Sequence, residues 1–411
     1  MPPAGLYLHI PFCAARCAYC DFYSLPVGPS SASGAGIGSG ADWRIRYPEL
    51  LKSHMRQFAG ADAIRLPGLP RSLSAAAFSR FDTLYLGGGT PTVLPPETLA
   101  DLISTALDLF PFVPGSDGIE ITMEANPGTL SGADLTLLKS AGVTRLNFGV
   151  QSFSDAALAL LGRIHTACEA VDIIRAARDA GFDNLGLDLI YGLPGQTEEE
   201  WDADLNAALA RAPEHLSCYL LTYEPGTPLS RKAAAGALTP LSDDGCGDLL
   251  RHTRRRLHSS GYAGYEVSSF ALRAGRKDFR SRHNRKYWTG APYLGLGPAA
   301  HSFLPPDTRF HQAPDLAEYA KRIQAGDSPV TEVEALTAEQ RFIEGVCLGL
   351  RRAEGIAPEE LPGLSGEKAR AVFKNRLRNL EIQGFLERTE GRWHLTESGW
   401  PVMDGVIRRL I

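Results

Sequence analysis

Over the first two-thirds of the chain, short apolar runs alternate with longer amphipathic stretches. The runs predict strands at Leu6–Ile10, Asp82–Leu86, Gly118–Glu124, Thr144–Val150, Leu185–Ile190 and Leu216–Tyr223. The stretches between them predict helices over about Arg44–Phe58, Pro96–Phe110, Gly132–Ala141, Cys168–Ala180, Glu198–Arg211 and Asp243–Ser260. Six strand-then-helix repeats imply parallel strands with crossover helices, an α/β fold of the incomplete (β/α)6 barrel type. Pattern alone does not separate an open barrel from a doubly wound sheet. In both, the C-terminal ends of the strands face the working site.

Two stretches interrupt the alternation. Pro26–Ala41 is built of Pro, Gly, Ser and Ala and reads as a flexible insertion. Phe270–Thr308 reads as loop-rich. From about residue 306 the character changes to helices near Thr337–Arg351 and Glu367–Gln383, then a short hairpin. The expected organisation is a core over 1–305 and a small, mostly helical, winged-helix-like C-terminal domain over 306–411.

Composition narrows the class. The 411 residues are 44% hydrophobic and 22% charged, as in globular proteins. A net charge of −5 argues against nucleic acid as a partner and against a DNA-binding use of the winged-helix pattern. No apolar run reaches the roughly 20 residues that span a bilayer, and no secretory signal opens the chain. A cytoplasmic location follows as the expectation, with at most peripheral membrane association. In that reducing setting, seven cysteines are thiols or metal ligands rather than disulfides. Cys168, Cys218, Cys246 and Cys347 are scattered and read as packing residues.

The other three are not scattered. Cys13, Cys17 and Cys20 stand in one loop directly after the first strand. Three thiolates spaced four then three apart can hold three corners of a [4Fe–4S] cubane and leave one iron open to a chelating ligand. A structural zinc site would need a fourth protein ligand, for which His9 is the nearest candidate. Chemistry-bearing residues recur at the other strand ends: Gly87–Thr92, Glu124–Asn126, Gln151–Ser152 and Tyr191–Gly195.

The CxxxCxxC loop, with Tyr7-Leu8-His9-Ile10-Pro11-Phe12 before it and Asp21-Phe22 after it, resembles the radical S-adenosylmethionine (SAM) proteins. The nearest resemblance is to the branch that holds oxygen-independent coproporphyrinogen III oxidases and haem chaperones of the HemW type, from about Leu6 to Phe303 and more weakly beyond. The resemblance implies that SAM chelates the open iron and is cleaved reductively to a radical. It implies SAM contacts from Gly88, Gly89 and Thr90, whose bare backbone permits close approach, and from Glu124 to the ribose. Gln151, Arg163 and Asp188 match positions that hold a second SAM in the oxidase. Asp188 lies in an apolar run, where an unpartnered carboxylate is costly. Tyr7 and Tyr19 flank the cluster, placed for SAM contact or for aromatic packing.

Departures choose between the two sub-branches. The oxidase carries a further cysteine where Phe22 stands here, and an N-terminal extension before its cysteine loop. His283-Asn284-Arg285-Lys286-Tyr287-Trp288 matches the HNxxYW segment that HemW-like proteins associate with haem. His283 is then a candidate axial ligand, Tyr287 and Trp288 supply flat apolar surface, and Arg285 and Lys286 could meet propionates. His301 and His311 are rival ligands. The function implied is haem carriage to an acceptor apo-protein, a respiratory enzyme at the membrane being the expected client, with homodimerisation one role for cluster and SAM. The alternative is oxidative decarboxylation of coproporphyrinogen III.

Overall fold

A computed structural model of the chain describes residues 2–27, 43–60, 64–65, 72–73, 78–273, 275 and 277–411. Most of the Pro26–Ala41 insertion, from residue 28 on, lies outside the described residues.

Six of the strands follow the predicted order: β1 (Ala4–Ile10), β2 (Phe81–Gly88), β3 (Glu120–Ala125), β4 (Arg145–Gln151), β5 (Leu185–Tyr191) and β6 (His215–Leu220). They pair in parallel, each with the next. Crossover helices cover one face: α1 (Trp43–Ala59), α2 (Pro96–Leu109), α3 (Gly132–Ser140), α5 (Ala167–Asp179) and α6 (Glu198–Leu209), while the short α4 (Asp155–Leu161) packs against the cysteine loop. Beyond β6 come α7 (Pro228–Ala234) and α8 (Asp243–Ser259), then the antiparallel β7 (Tyr262–Gly264) and β8 (Ser269–Leu272) against β6.

The helix starts follow from local chemistry. Ser131 with Asp134, Thr166 with Glu169 and Thr197 with Glu200 form reciprocal capping boxes at α3, α5 and α6. On α5, Ala170, Ile173, Ile174 and Ala177 make the buried stripe. Each isoleucine contributes roughly 1.5–3 kcal/mol by leaving water.

The 270–308 region is not loop-rich. It holds α9 (Arg282–Thr289), β9 (Tyr293–Leu296) and β10 (His301–Leu304), followed by β11 (Thr308–Gln312), α10 (Leu316–Ala325) and β12 (Val330–Ala335). β9 is a seventh parallel strand, on the opposite side of β1 from β2, and β10–β12 extend it antiparallel. The sheet therefore runs β7-β8-β6-β5-β4-β3-β2-β1-β9-β10-β11-β12 and does not close. This is the open-barrel form of the expected fold. The C-terminal segment adds α11 (Ala338–Leu350), α12 (Glu367–Ile382), the hairpin β13–β14 (Leu386–Thr389, Arg392–Leu395) and α13 (Met403–Leu410). It packs a second apolar core around Leu350, Phe373, Leu377, Trp393 and Leu410. Among the described residues no helix is long and apolar enough to cross a membrane.

Strand alternation divides the barrel wall into two chemistries. Leu6, Leu8, Leu84, Leu86, Ile121, Met123, Leu146, Phe148, Leu187 and Leu189 belong to the apolar core. The intervening positions carry Tyr7, His9, Thr83, Tyr85, Thr122, Glu124, Arg145, Asn147 and Asp188. A polar inner face is thus threaded through strands that read as apolar.

Candidate functional site

Cys13 follows β1 after one turn, and the glycine run at the end of β2 clasps that turn. Gly89 N donates to Ile10 O at 2.8 Å and Thr90 N to Phe12 O at 2.7 Å. A Cβ on Gly89 would run into the backbone of Phe12, and Gly88 holds φ +109°. Both glycines are needed by the clasp itself. Thr90 Oγ1 donates to Cys13 Sγ at 3.6 Å, and Arg163 Nη1 to Cys17 Sγ at 3.2 Å. Arg163 also donates to Gly149 O and to Asn126 Oδ1, and Asn126 Nδ2 donates to Thr90 Oγ1. Cysteine loop, glycine turn and Arg163 therefore form one connected unit. It borders a small, shallow cleft whose walls include Cys17, Thr90, Asn126 and Arg163.

Burial raises the Cys13 thiol, and raises Cys20 to about 11. Ligation to iron would take the place of the proton and offset that cost. Three soft donors on one loop beside an arginine fit a cubane and its anionic partner. Among the described residues no three His, Cys, Asp or Glu side chains converge as on a single metal ion, and a cubane holds its thiolates further apart than one zinc does. His9 is not a fourth ligand. Its Nε2 faces Tyr23 O at 3.1 Å and must donate there, so Nδ1 accepts from the Tyr7 hydroxyl at 3.0 Å. Desolvation lowers His9 to about 4 and keeps it neutral.

Deeper in the barrel stand two carboxyls. Glu124 accepts from Tyr85 Oη at 2.6 Å and from Gly88 N at 3.3 Å. Burial raises it to about 7. Asp188 accepts from Asn147 Nδ2 through Oδ2, and burial raises it to about 6. Its Oδ1 has no partner, and neither has Arg163 Nε. Orphaned polar atoms beside the cysteine loop suit a polar ligand such as SAM. Gln151 sits at a β-bulge with φ +68°, a strained position for a residue with a Cβ. Its amide nitrogen lies beside Gly149, against which Asn126 Oδ1 also packs. Tyr19 packs beside Leu161, Ile190 and Leu221, with burial raising its hydroxyl.

The HNxxYW segment is a helix, not a loop. α9 lies against β1 and β2, and Gly5 makes room for it: a Cβ there would meet His283 Nδ1 at 2.9 Å. His283 is 0% exposed. Thr83 Oγ1 sits at 2.8 Å from its Nδ1 and Tyr287 Oη at 2.9 Å from its Nε2. Desolvation lowers the ring to about 3. Lys286 pairs with Asp82 at 2.6 Å and donates to Pro3 O, while Arg285 faces Asp278 and Glu354. Trp288 lies under the Arg351 guanidinium of α11 at 5.1 Å. As placed, His283 does not fit an iron ligand, because neither ring nitrogen has a free lone pair directed at solvent. The two cations are matched to protein carboxylates rather than held free for propionates.

The scattered cysteines divide. Cys218 is buried, Cys246 and Cys347 are half-buried, and Cys168 is exposed on the first turn of α5. Sequence reasoning passed over Tyr85 and Asn147, which hydrogen-bond Glu124 and Asp188. The signal available was a polar residue at every second position of a strand otherwise apolar.

This fold and cysteine loop define a radical SAM protein. Residues 7–208 match the radical SAM superfamily and residues 336–402 the HemN C-terminal domain. The haem chaperone HemW of Bacillus subtilis is 32% identical over 396 residues, 96% of this chain and 95% of that protein. HemW of Escherichia coli is 31% identical, over 97% and 96%. The chain belongs to the HemW family of radical SAM proteins. The crystal structure of the coproporphyrinogen III oxidase HemN from Escherichia coli shares the fold, with a TM-score of 0.77 over 99% of this chain and 90% of that one, at 22% identity. Membership of the superfamily implies a [4Fe–4S] cluster and SAM.

Proposed function

We propose that this protein binds haem and delivers it to an acceptor apo-protein. The observation that carries the reading is full-length similarity, above 30% and without large gaps at either end, to proteins named haem chaperones. Phe22, 67% exposed at the position of the oxidase's additional cysteine, supports it. Cys13, Cys17 and Cys20 hold the cluster. Gly88, Gly89 and Thr90 receive the methionyl end of SAM. Glu124 accepts from its ribose, and Gln151, Arg163, Asp188, Tyr7 and Tyr19 line the remaining space. When bound, cluster and SAM supply one-electron chemistry. The chain's own part is to orient the ligand through Glu124 and Arg163, and to hold Glu124 near neutrality by burial. The acceptor is a haemoprotein, with a membrane-bound respiratory enzyme as the preferred client and the location cytoplasmic.

A second reading, oxidative decarboxylation of coproporphyrinogen III, is favoured by the unpartnered Asp188 Oδ1 and Arg163 Nε, which leave polar capacity beyond the cluster. The test is anaerobic. Cluster-reconstituted protein receives SAM, dithionite and coproporphyrinogen III, and in parallel haem and a haem-free acceptor. Haem transfer without decarboxylated porphyrin is the expected outcome. Catalytic accumulation of decarboxylated porphyrin would replace haem carriage by the enzyme reading.

A further inference from the structure

His283 leaves neither ring nitrogen free for haem iron, so a histidine ligand would have to stand elsewhere in the chain. Of the ten histidines, eight engage at least one ring nitrogen in a hydrogen bond. His258 and His301 are the two whose rings make none among the described residues. His258 lies in the last turn of α8, just before Tyr262. That places it at the N-terminal end of the strands, since β7 starts opposite Leu272 beside Glu214. His301 lies at the other end. β9 runs parallel to β1 with Leu296 opposite Leu8, and the chain turns back through Gly297 into β10. His301 is exposed at this end. Tyr23, whose carbonyl accepts from His9, roots the return of the cysteine loop at the same place.

We propose that His301 is the axial ligand of haem iron in this protein, buttressed by His311 and Glu332 on the neighbouring strands, and that His283 is a positioning residue beneath the barrel wall. The inference rests on the haem-carrier reading above and names the ligand for it. Three features of the structure aim His301. The turn before it is strained: Ala299 holds φ +58° and Gly297 φ +106°, with the space of a Cβ at Gly297 already taken by the Tyr47 hydroxyl and His9 O. His301 and His311 are directly paired across β10 and β11, so their side chains share a face, with ring centroids 5.1 Å apart. His311 is in turn fixed, Nδ1 to Gln312 O at 3.1 Å and Nε2 to Glu332 at 2.7 Å. A ring pinned at both nitrogens makes a fixed platform for a neighbour free at both. The same face carries apolar surface for a porphyrin. Phe303 follows two residues after His301, faces Tyr293 at 6.3 Å, and Tyr293 packs on Tyr287 at 4.7 Å. Rings therefore run from buried α9 through Tyr293 to Phe303, two residues from His301 on the same strand face.

The test is hemin titration of the full chain, followed by the Soret band. The wild type is expected to bind with the spectrum of histidine-ligated haem. His301→Ala is expected to weaken binding by roughly tenfold or more and to lose that spectrum, since the iron–nitrogen bond goes while porphyrin contacts stay. Added imidazole is expected to restore the spectrum in His301→Ala, which a merely structural role would not produce. His258→Ala, equally exposed at the far end, should titrate as wild type. An unchanged titration of His301→Ala alongside a binding wild type would overturn the ligand assignment alone. A wild type that takes up no hemin would overturn the haem-carrier reading itself.

Discussion

Two histidine-bearing surfaces meet in the 282–311 region, and they differ in every property that decides chemistry. On α9, His283 is enclosed, with Thr83 and Tyr287 on its two nitrogens and Gly5 beneath it. On β10, His301 is exposed and its ring unbonded, and it leans on a neighbour that is bonded at both nitrogens. The first carries the recognisable sequence pattern and the second carries none. A pattern of residue types reports that a segment matters, while burial and partner count report what each side chain is free to do. In α9 the polar groups spend their hydrogen bonds on holding the helix against β1 and β2. The cysteine loop is the opposite case, because its thiols stay half-buried and its motif and chemistry coincide.

The comparison breaks most sharply at the cluster. Cys17→Ser removes one of the three proposed iron ligands and the sulfur that Arg163 faces. Iron content and the broad visible absorption should fall to near background while the secondary structure by circular dichroism stays. Retained iron would end the three-cysteine assignment. On α9 the large effect should be on stability instead. His283→Ala leaves a cavity and strands both Thr83 and Tyr287, at a cost of about 2–4 kcal/mol. Gly5→Ala pushes a methyl against the same ring at under 3 Å and should cost about 1–3 kcal/mol. Both are read from denaturant midpoints. A normal midpoint in His283→Ala with haem affinity lost would make α9 the haem-binding surface after all.

The cysteine loop was legible because all three proposed ligands fall within eight residues, so no tertiary information is needed to bring them together. Strand and helix order was legible for the same reason: each β–α unit is local, and capping residues such as Thr166 and Glu169 mark its start. The polar inner face was mostly hidden. Tyr85 stands between buried Leu84 and Leu86, and Asn147 between buried Leu146 and Phe148, and an apolar run that reads as a buried strand averages them away. Tyr7 and Glu124 came only through the family resemblance, and Asp188 stood out on physical grounds because an acid in such a run is expensive. The 270–308 stretch misled through its punctuation. Gly290 caps α9 and Gly297 turns β9 into β10, so glycines that read as loop signals mark the borders of short elements. β9 is a four-residue strand whose pairing with β1 spans nearly the whole core sequence. No local pattern reports that partner.

A smaller effect tests the electrostatics of the inner face. Burial holds Glu124 near 7 against an ordinary 4.5, the Tyr85 hydrogen bond working the other way. A carboxyl raised on folding adds stability that is full below its unfolded value and is lost as pH rises through its folded one. Stability from Glu124 therefore declines between about pH 4.5 and 7. Buried histidines such as His54 and His283, lowered to about 3, pull the other way as pH falls below 6.5. The difference between Glu124→Gln and wild type isolates the carboxyl: the variant should gain on the wild type by about 2 kcal/mol between pH 5 and pH 8, less than the full shift because the side chain is partly open to the barrel. A difference independent of pH would place the Glu124 carboxyl at its ordinary value.

The smallest effect sharpens the role of α9 itself. Trp288 faces away from the His283 cluster, toward Arg351 of α11, so the helix joins the barrel wall to the C-terminal segment. Arg351→Met keeps the aliphatic stem and removes the charge over the ring. It should lower stability by only about 0.5–1 kcal/mol and shift the Trp288 fluorescence, with hemin titration unchanged. If Trp288 instead presents its ring to a porphyrin, removing the guanidinium uncovers that ring and hemin affinity rises in Arg351→Met. A rise would move the haem surface from the β10 rim to α9, and equal affinity in the two proteins keeps α9 as the strut between wall and C-terminal segment.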